Sequence, residues 1–188
     1  MISEMRTIYV TLILMMSFSA LAQTYELDKE TSLFTWTGYG EVENFKQTGV
    51  ISANKGDLTL QENDIKSGYV SIDMTSISHE SKRLKKHLKA KDFFYAKKYP
   101  ETIINFISLE NDLIKCEIIL RGKSGIICFP VTVSREEKQL NMRGTMTIDR
   151  TLYDIKYNSS SYFQDLGNYA IKNEIDVEFD IRFNLIEE

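Results

Sequence analysis

The strongest constraint on the fold is a two-residue alternation near the carboxyl end of the sequence. Apolar residues occupy every second position from Ile175 to Leu185, and polar or charged residues fill the positions between them. Successive side chains of a β-strand point to opposite faces, so this pattern predicts a long strand with one buried face and one solvent-exposed face. The same alternation recurs in stretches that begin at Phe34, Val70, Phe129 and Met142.

Turn-forming residues separate the alternating stretches. Clusters rich in Asn, Asp and Gly occur at residues 53–57, 61–64, 110–112 and 121–125. Together the pattern predicts eight or nine short strands without alternating helices, which favours an antiparallel sandwich or barrel over a parallel α/β fold. The predicted fold class is therefore all-β.

One segment breaks the strand pattern and predicts a short helix at about residues 79–89. Leu84 and Leu88 lie four positions apart between good helix formers. The residues around this narrow apolar stripe are mostly basic: Lys82, Arg83, Lys85, Lys86, Lys89 and Lys91. Such a run is typical of a solvated helix face, or of a surface that attracts a phosphate, a carboxylate or an anionic membrane.

The amino terminus has the layout of a secretory signal peptide. Arg6 precedes an apolar run at residues 8–20 that ends in small residues. This run is shorter than the roughly 20 apolar residues that a membrane-spanning helix needs. We therefore predict a cleaved signal peptide at residues 1–22, one mature domain at residues 23–188, and a periplasmic or secreted location.

Charge and cysteine content limit the other function classes. The net charge of −4 gives no reason to expect nucleic acid as a partner. Cys116 and Cys128 lie in neighbouring apolar segments, and two buried thiols are favoured over a disulfide. They form no redox or metal motif.

No catalytic or metal-binding constellation is predicted. Ser52 and Lys55 have the spacing of a Ser-x-x-Lys hydrolase motif, but they fall at a predicted turn without partner motifs. His79 and His87 are the only histidines, and they share one basic helix without acidic support. The sequence therefore favours a binding protein over an enzyme.

A series of short motifs resembles the YceI-like family of exported bacterial lipid-binding proteins. The most specific run is His87-Leu88, Asp92-Phe93-Phe94 and Lys98-Tyr99-Pro100. Residues 25–28, 36–38, 68–77, 120–122 and 147–150 resemble other parts of the family in the same order. Two positions depart from its pattern: Lys85 replaces a usual acidic residue, and Asp154 replaces a common glycine.

The resemblance implies an eight-stranded antiparallel lipocalin-like β-barrel with one short covering helix. It also implies that the barrel interior holds a long-chain lipid, such as a polyisoprenoid or an isoprenoid quinone, and needs no other cofactor. Eight strands leave an interior that is either filled by side chains or wide enough for one slender ligand. Alternation does not distinguish these cases, so a structural or stress-related envelope protein with a packed barrel stays an alternative.

Candidate ligand contacts follow from this barrel. The residues expected to line the interior are Phe34, Trp36, Val70, Ile72, Met74, Leu88, Phe106, Leu120, Phe129, Val131, Met146 and Ile148. Phe93 and Phe94 are expected to close or line one end. Lys85, Lys86 and Lys89 would form a rim facing an anionic head group. His87 either binds that head group or ties the helix to the barrel.

The expected partners are few. A long-chain lipid is the predicted ligand, and a transient contact with a membrane surface and a homodimer both stay open. Tyr162, Phe163 and Tyr169 are predicted to lie in a loop over one barrel end, or to supply an adhesive surface in the packed-barrel alternative.

Overall fold

The computed structural model describes residues 22–42, 45–62 and 64–186. The predicted signal peptide lies outside this range except for its last residue, Ala22, which begins the first strand. No helix in the described ranges is long and apolar enough to span a membrane.

Nine strands form one antiparallel sheet: β1 (Ala22–Leu27), β2 (Leu33–Gly40), β3 (Lys46–Gln61), β4 (Asp64–Asp73), β5 (Glu101–Glu110), β6 (Leu113–Leu120), β7 (Lys123–Arg135), β8 (Gln139–Asp149) and β9 (Ile171–Leu185). From β2 to β9 each strand pairs with the next, and β9 pairs back onto β2. The sheet is therefore a closed, eight-stranded, up-and-down barrel with one additional strand, which confirms the predicted fold class.

The additional strand shares a position in the barrel with β2. Both β1 and β2 run antiparallel to β3 and to β9, with β1 at one end of these long strands and β2 at the other. The break between them is a turn in which Asp28 Oδ1 accepts hydrogen bonds from the Glu30 and Thr31 amides. Ser32 Oγ accepts a hydrogen bond of 3.0 Å from the Arg182 amide, which fixes the turn to β9.

One predicted turn is wrong. Residues 53–57 lie inside β3, where the register with β4 shifts between Ala53 and Lys55. A Cβ atom on Gly56 would lie 2.6 Å from the Tyr69 carbonyl oxygen, so glycine is required by a close backbone approach. The Asn-Lys-Gly signal therefore marks a bulge, and the Ser52/Lys55 pair lies on a strand.

The connections divide between two ends of the barrel. The β2–β3, β4–β5, β6–β7 and β8–β9 connections lie at the end that we call the helix end, and the β3–β4, β5–β6 and β7–β8 connections lie at the far end. The β1–β2 turn lies in the barrel wall between the two ends. The β4–β5 connection contains helix α1, Lys82–Leu88. It is shorter than predicted because Ser81 is its N-cap, accepting a hydrogen bond of 3.3 Å from the Leu84 amide, while the Ser81 amide is bonded to His79 Nδ1.

The two cysteines lie on opposite faces of the sheet. Cys116 pairs with Ile127, whereas Cys128 pairs with Lys115, one register position away. Both are free thiols; Cys116 is buried and Cys128 is exposed, so the prediction of two buried thiols is wrong for Cys128. Burial, with a smaller contribution from Cys128, raises the pKa of Cys116 to about 12.

Candidate ligand-binding site

An apolar cavity of about 70 Å³ lies inside the upper half of the barrel, towards the helix end. We call it the inner cavity. Inward-facing side chains from most of the strands surround it, because alternation directs every second residue to the barrel axis. Its lining includes Phe34, Trp36, Ile51, Ile72, Met74, Ile77, Phe94, Thr102, Ile104, Ile118, Leu120, Met146, Ile148, Arg150, Ile175 and Val177.

A second cavity of about 280 Å³, the outer cavity, lies above the first at the helix end. Residues from α1, from the β4–β5 connection and from the ends of β2 and β9 enclose it. Its lining includes Trp36, Gly38, Tyr39, Phe45, Gln47, Ser81, Leu84, His87, Leu88, Phe93, Phe94, Arg150, Tyr157, Ile171, Lys172 and Ile175. Phe45 and Tyr157 are exposed, so the outer cavity reaches the protein surface.

Four side chains border both cavities and form a neck between them: Trp36, Phe94, Arg150 and Ile175. Each is at least nine-tenths buried. The Phe94 ring packs edge-on against Phe93, with ring centroids 4.9 Å apart. Phe94, from the β4–β5 connection, therefore forms part of the boundary between the two cavities.

Local hydrogen bonds place the two phenylalanines. The Phe94 amide bonds to the Leu88 carbonyl oxygen at 3.1 Å, and Tyr95, with a φ of 51°, bonds to the Ala90 carbonyl oxygen. These contacts turn the chain back after α1. At the start of the connection, a Cβ atom on Gly49 would lie 2.0 Å from the Ser78 carbonyl oxygen, so glycine lets this segment lie directly on β3.

Arg150 places a buried positive charge at the neck. Its guanidinium donates to the carbonyl oxygens of Lys172, Ile155 and Ile171 at 3.0, 2.6 and 3.1 Å. The guanidinium carbon also lies 5.8 Å from the centroid of the Phe93 ring. Burial lowers the pKa of Arg150, while Asp149 and Glu174 oppose that shift. The three carbonyl bonds compensate for the lost hydration and attach β8 to the start of β9.

His87 lies in an aromatic wall of the outer cavity. Its ring centroid is 4.3 Å from that of Tyr157 and 5.8 Å from that of Phe93. Its Nδ1 lies 3.7 Å from Asp92 Oδ2, and its Nε2 is buried without a protein partner. The side chain therefore both packs against the β8–β9 connection and borders the candidate site.

The predicted rim lysines lie beside the outer cavity on α1 or directly after it. Lys86 is exposed, and Lys85 and Lys89 are half-buried. Lys89 Nζ donates a hydrogen bond to the Thr75 carbonyl oxygen. None of the three is among the residues that line either cavity.

The lower half of the barrel is packed. The cavity there measures about 10 Å³ and is lined by Phe34, Val70, Ile104, Phe106, Phe129, Met146, Phe179 and Ile181. The Phe129 and Phe179 rings pack edge-on with centroids 5.8 Å apart, and Phe106 packs against Phe183 in the same way. A further cavity of about 300 Å³ opens at the far end, below this aromatic layer. The aromatic layer thus separates the two cavities at the helix end from the cavity at the far end.

The structure distributes the sequence-predicted interior residues over these cavities. Phe34, Trp36, Ile72, Met74, Phe94, Leu120, Met146 and Ile148 line the inner cavity. Trp36, Leu88, Phe93 and Phe94 line the outer cavity, and Val70, Phe106 and Phe129 line the small lower one. Val131 is buried but lines none of these cavities.

Sequence reasoning missed five strand residues that line the inner cavity: Ile51, Ile104, Ile118, Ile175 and Val177. It also missed Phe45, Tyr157, Lys172 and Arg150 as cavity residues. All four lie in connections or at strand ends, where side chains follow no two-residue period. Arg150 carried one usable signal, because a charged residue directly after a long strand needs partners if it is buried. Across the described ranges, no group of three or more His, Cys, Asp or Glu residues could hold a metal ion.

Comparisons with known proteins agree with this geometry. The model of the YceI-like domain matches residues 25–183. The fold is similar to the structure of BcnA from Burkholderia cenocepacia, with a TM-score of 0.66, 18% identity, and coverage of 83% of this chain and 98% of that chain. A comparison with curated proteins gives no match.

Two further structures share the fold. A polyisoprenoid binding domain from Saccharophagus degradans, described as implicated in plant cell wall breakdown, has a TM-score of 0.67 and 13% identity, covering 86% of this chain and 98% of that one. A YceI protein from Campylobacter jejuni has a TM-score of 0.52 and 20% identity, covering 65% of this chain and 74% of that one. The family model spans most of the chain, and the chain therefore belongs to the YceI-like domain family.

Proposed function

We propose that this protein is an exported lipid-binding protein that holds the apolar chain of a polyisoprenoid or an isoprenoid quinone in its barrel. It would sequester or carry this lipid through the envelope space, as a monomer or a homodimer, without a catalytic step. The Saccharophagus degradans neighbour is described as a polyisoprenoid binding domain, which supports this ligand class. The signal-like amino terminus supports export.

The observation that carries the proposal is the stacked pair of apolar cavities. They share the neck formed by Trp36, Phe94, Arg150 and Ile175, and the outer one reaches the surface beside Phe45. A slender chain would enter from the helix end and lie with its tail in the inner cavity. Its head would remain in the outer cavity near His87, with the lysines of α1 close to the rim. Burial of methylenes is non-directional, so selectivity would come from chain length and head group.

Cavity sizes set a condition on chain length. An apolar cavity of about 150 Å³ binds one benzene molecule, and the inner cavity measures about 70 Å³. The inner and outer cavities together therefore suit a short isoprenoid segment. A longer chain requires the Phe106, Phe129 and Phe179 rings to rotate and open the lower half.

Extraction of the purified protein tests the ligand. Residues 23–188 would be purified from bacterial cells and extracted into organic solvent, and the extract analysed by mass spectrometry. A prenyl lipid at a stoichiometric amount supports the proposal. A clean extract, together with no change in the fluorescence of Trp36 when prenyl lipids are added, contradicts it. That result would favour the packed-barrel structural protein, for which the aromatic layer in the lower half is the supporting observation.

Export has a separate test. The full chain would be expressed in a bacterial host and the cells fractionated, and the mass of the envelope form measured. A form that begins at Gln23 supports export with cleavage after Ala22. An intact chain retained in the cytoplasm contradicts it.

A further inference from the structure

Exposed aromatic side chains are concentrated at the helix end of the barrel. In the part of the chain that the structure describes, five aromatic residues are exposed: Phe45, Tyr157, Tyr162, Phe163 and Tyr169. Phe45 lies in the β2–β3 connection, and the other four lie in the β8–β9 connection. Leu152, which is 68% exposed, belongs to the same connection. The strands and the far end carry exposed aliphatic residues but none of these aromatic rings.

This aromatic set is continuous with the entrance of the outer cavity. Phe45 and Tyr157 are exposed and also line that cavity. Hydrogen bonds hold the two connections together, since the Glu41 amide donates to the Ala170 carbonyl oxygen at 3.0 Å and Ser160 Oγ donates to Glu41 Oε1. We call these five exposed rings the aromatic lip; two of them, Phe45 and Tyr157, border the entrance, and the other three lie in the same β8–β9 connection as Tyr157.

Charge is separated along the barrel axis. The β4–β5 connection, residues 74–100, contains eight basic and two acidic residues, whereas the whole chain has a net charge of −4. The far-end connections and the strand ends beside them are rich in carboxylates: Glu62, Asp64, Glu110, Asp112, Glu136 and Glu137. The positive surface thus lies at the same end as the aromatic lip.

We propose that the helix end docks onto an anionic lipid bilayer, with the aromatic lip in the interfacial region and the basic α1 segment over the head groups. Aromatic rings with polar tips partition to the membrane–water interface. Lysines near an anionic surface add attraction that salt screens. Either feature alone is a weak anchor, and their combination on one face gives a defined orientation. The outer cavity would then open directly towards the bilayer.

This inference goes beyond lipid binding in the barrel, and its test does not depend on cavity occupancy. Purified residues 23–188 would be mixed with vesicles of phosphatidylcholine alone, or of phosphatidylcholine with about one third phosphatidylglycerol, and the bound fraction measured by flotation. We expect binding to the anionic vesicles at low salt and its loss at high salt. No binding to anionic vesicles overturns the proposal.

A triple substitution tests the aromatic lip. Leu152→Ser, Phe163→Ser and Tyr169→Ser remove three exposed side chains for which no hydrogen bond is formed, so the fold should persist. We expect vesicle binding to fall about tenfold, because interfacial binding scales with buried apolar area. The matched control carries Ile107→Ser, Leu113→Ser and Ile126→Ser, which are similarly exposed on the β5–β7 wall.

Two variants that each remove three lysine charges test the basic segment. Lys82→Gln, Lys86→Gln and Lys91→Gln should weaken binding to anionic vesicles by roughly a hundredfold. The control variant removes the same net charge from exposed lysines elsewhere: Lys29→Gln, Lys55→Gln and Lys115→Gln. Wild-type binding by either helix-end variant, or an equal loss in its control, overturns the proposal. A lipid that still co-purifies with the helix-end variants would show that ligand binding is intact.

Discussion

Filling the inner cavity should weaken ligand binding by a calculable amount. Ile148 is 9% exposed at the end of β8 and lines the inner cavity. Ile148→Phe adds three carbon atoms to this space. The cavity of about 70 Å³ is roughly half the volume that holds benzene, so it accepts about three carbons of a ligand. At ~0.8 kcal/mol per buried methylene, their displacement costs about 2.4 kcal/mol, or roughly fiftyfold in affinity.

The assay uses the single tryptophan of the chain. Trp36 borders both cavities, so its emission should change when an apolar chain replaces the water or void beside it. Geranylgeraniol would be titrated into wild-type protein, Ile148→Phe and Ile148→Leu, the last of which keeps the number of atoms. The filled variant should keep its free energy of unfolding within about 1.5 kcal/mol of the wild type. Equal affinity of all three proteins would refute the placement of the ligand tail in the inner cavity.

Four further outcomes are expected from individual residues. Thr102→Val should raise the free energy of unfolding by about 1 kcal/mol in urea denaturation, because the buried Thr102 hydroxyl has no protein partner; a loss of stability would contradict this. At pH 8 a thiol reagent should modify one cysteine of the native protein, Cys128, because Cys116 is buried with a pKa raised to about 12; two modified thiols would contradict the burial. Asp154→Val should cost about 1–2 kcal/mol because position 154 has a φ of 61°, whereas Asp154→Gly should stay near the wild type. The hydrogen bond from Lys123 lowers the pKa of Asp154. The small stabilisation that this pair adds should therefore be present at neutral pH and be lost as the pH falls below about 4. Asp154→Gly should lack that acid dependence.

The strands were predictable because one face of each is buried. The alternation from Ile175 to Leu185 falls within β9, Ile171–Leu185, and buried residues repeat along it with the same period. The turn predicted at residues 53–57 failed for a physical reason. Asn, Lys and Gly favour a turn locally, but a bulge in a long strand uses the same residues, and only the pairing of β3 with β4 distinguishes the two.

The site was only partly predictable. Inward positions such as Ile72 and Met146 follow from alternation, whereas Phe45 and Tyr157 reach the outer cavity from connections whose path depends on tertiary contacts. Whether the interior is open depends on the rotamers of rings such as Phe129, which a pattern of apolar residues does not specify. The backbone conformation at Asp154, by contrast, could have been predicted from the family pattern. Asp154 adopts the left-handed conformation expected of the glycine that it replaces.

Closure of the barrel depends on pairing between two strands that are far apart in the chain, β2 and β9. Phe34 of β2 pairs with Phe179 of β9, while every other step around the ring joins consecutive strands. As the chain emerges from its N-terminal end, the sheet therefore stays open, with unpaired backbone groups at both edges, until the fifteen residues of β9 have followed. Unpaired edges favour edge-to-edge association with other chains. A chaperone would therefore reduce aggregation most if it bound the chain just before β9 emerges.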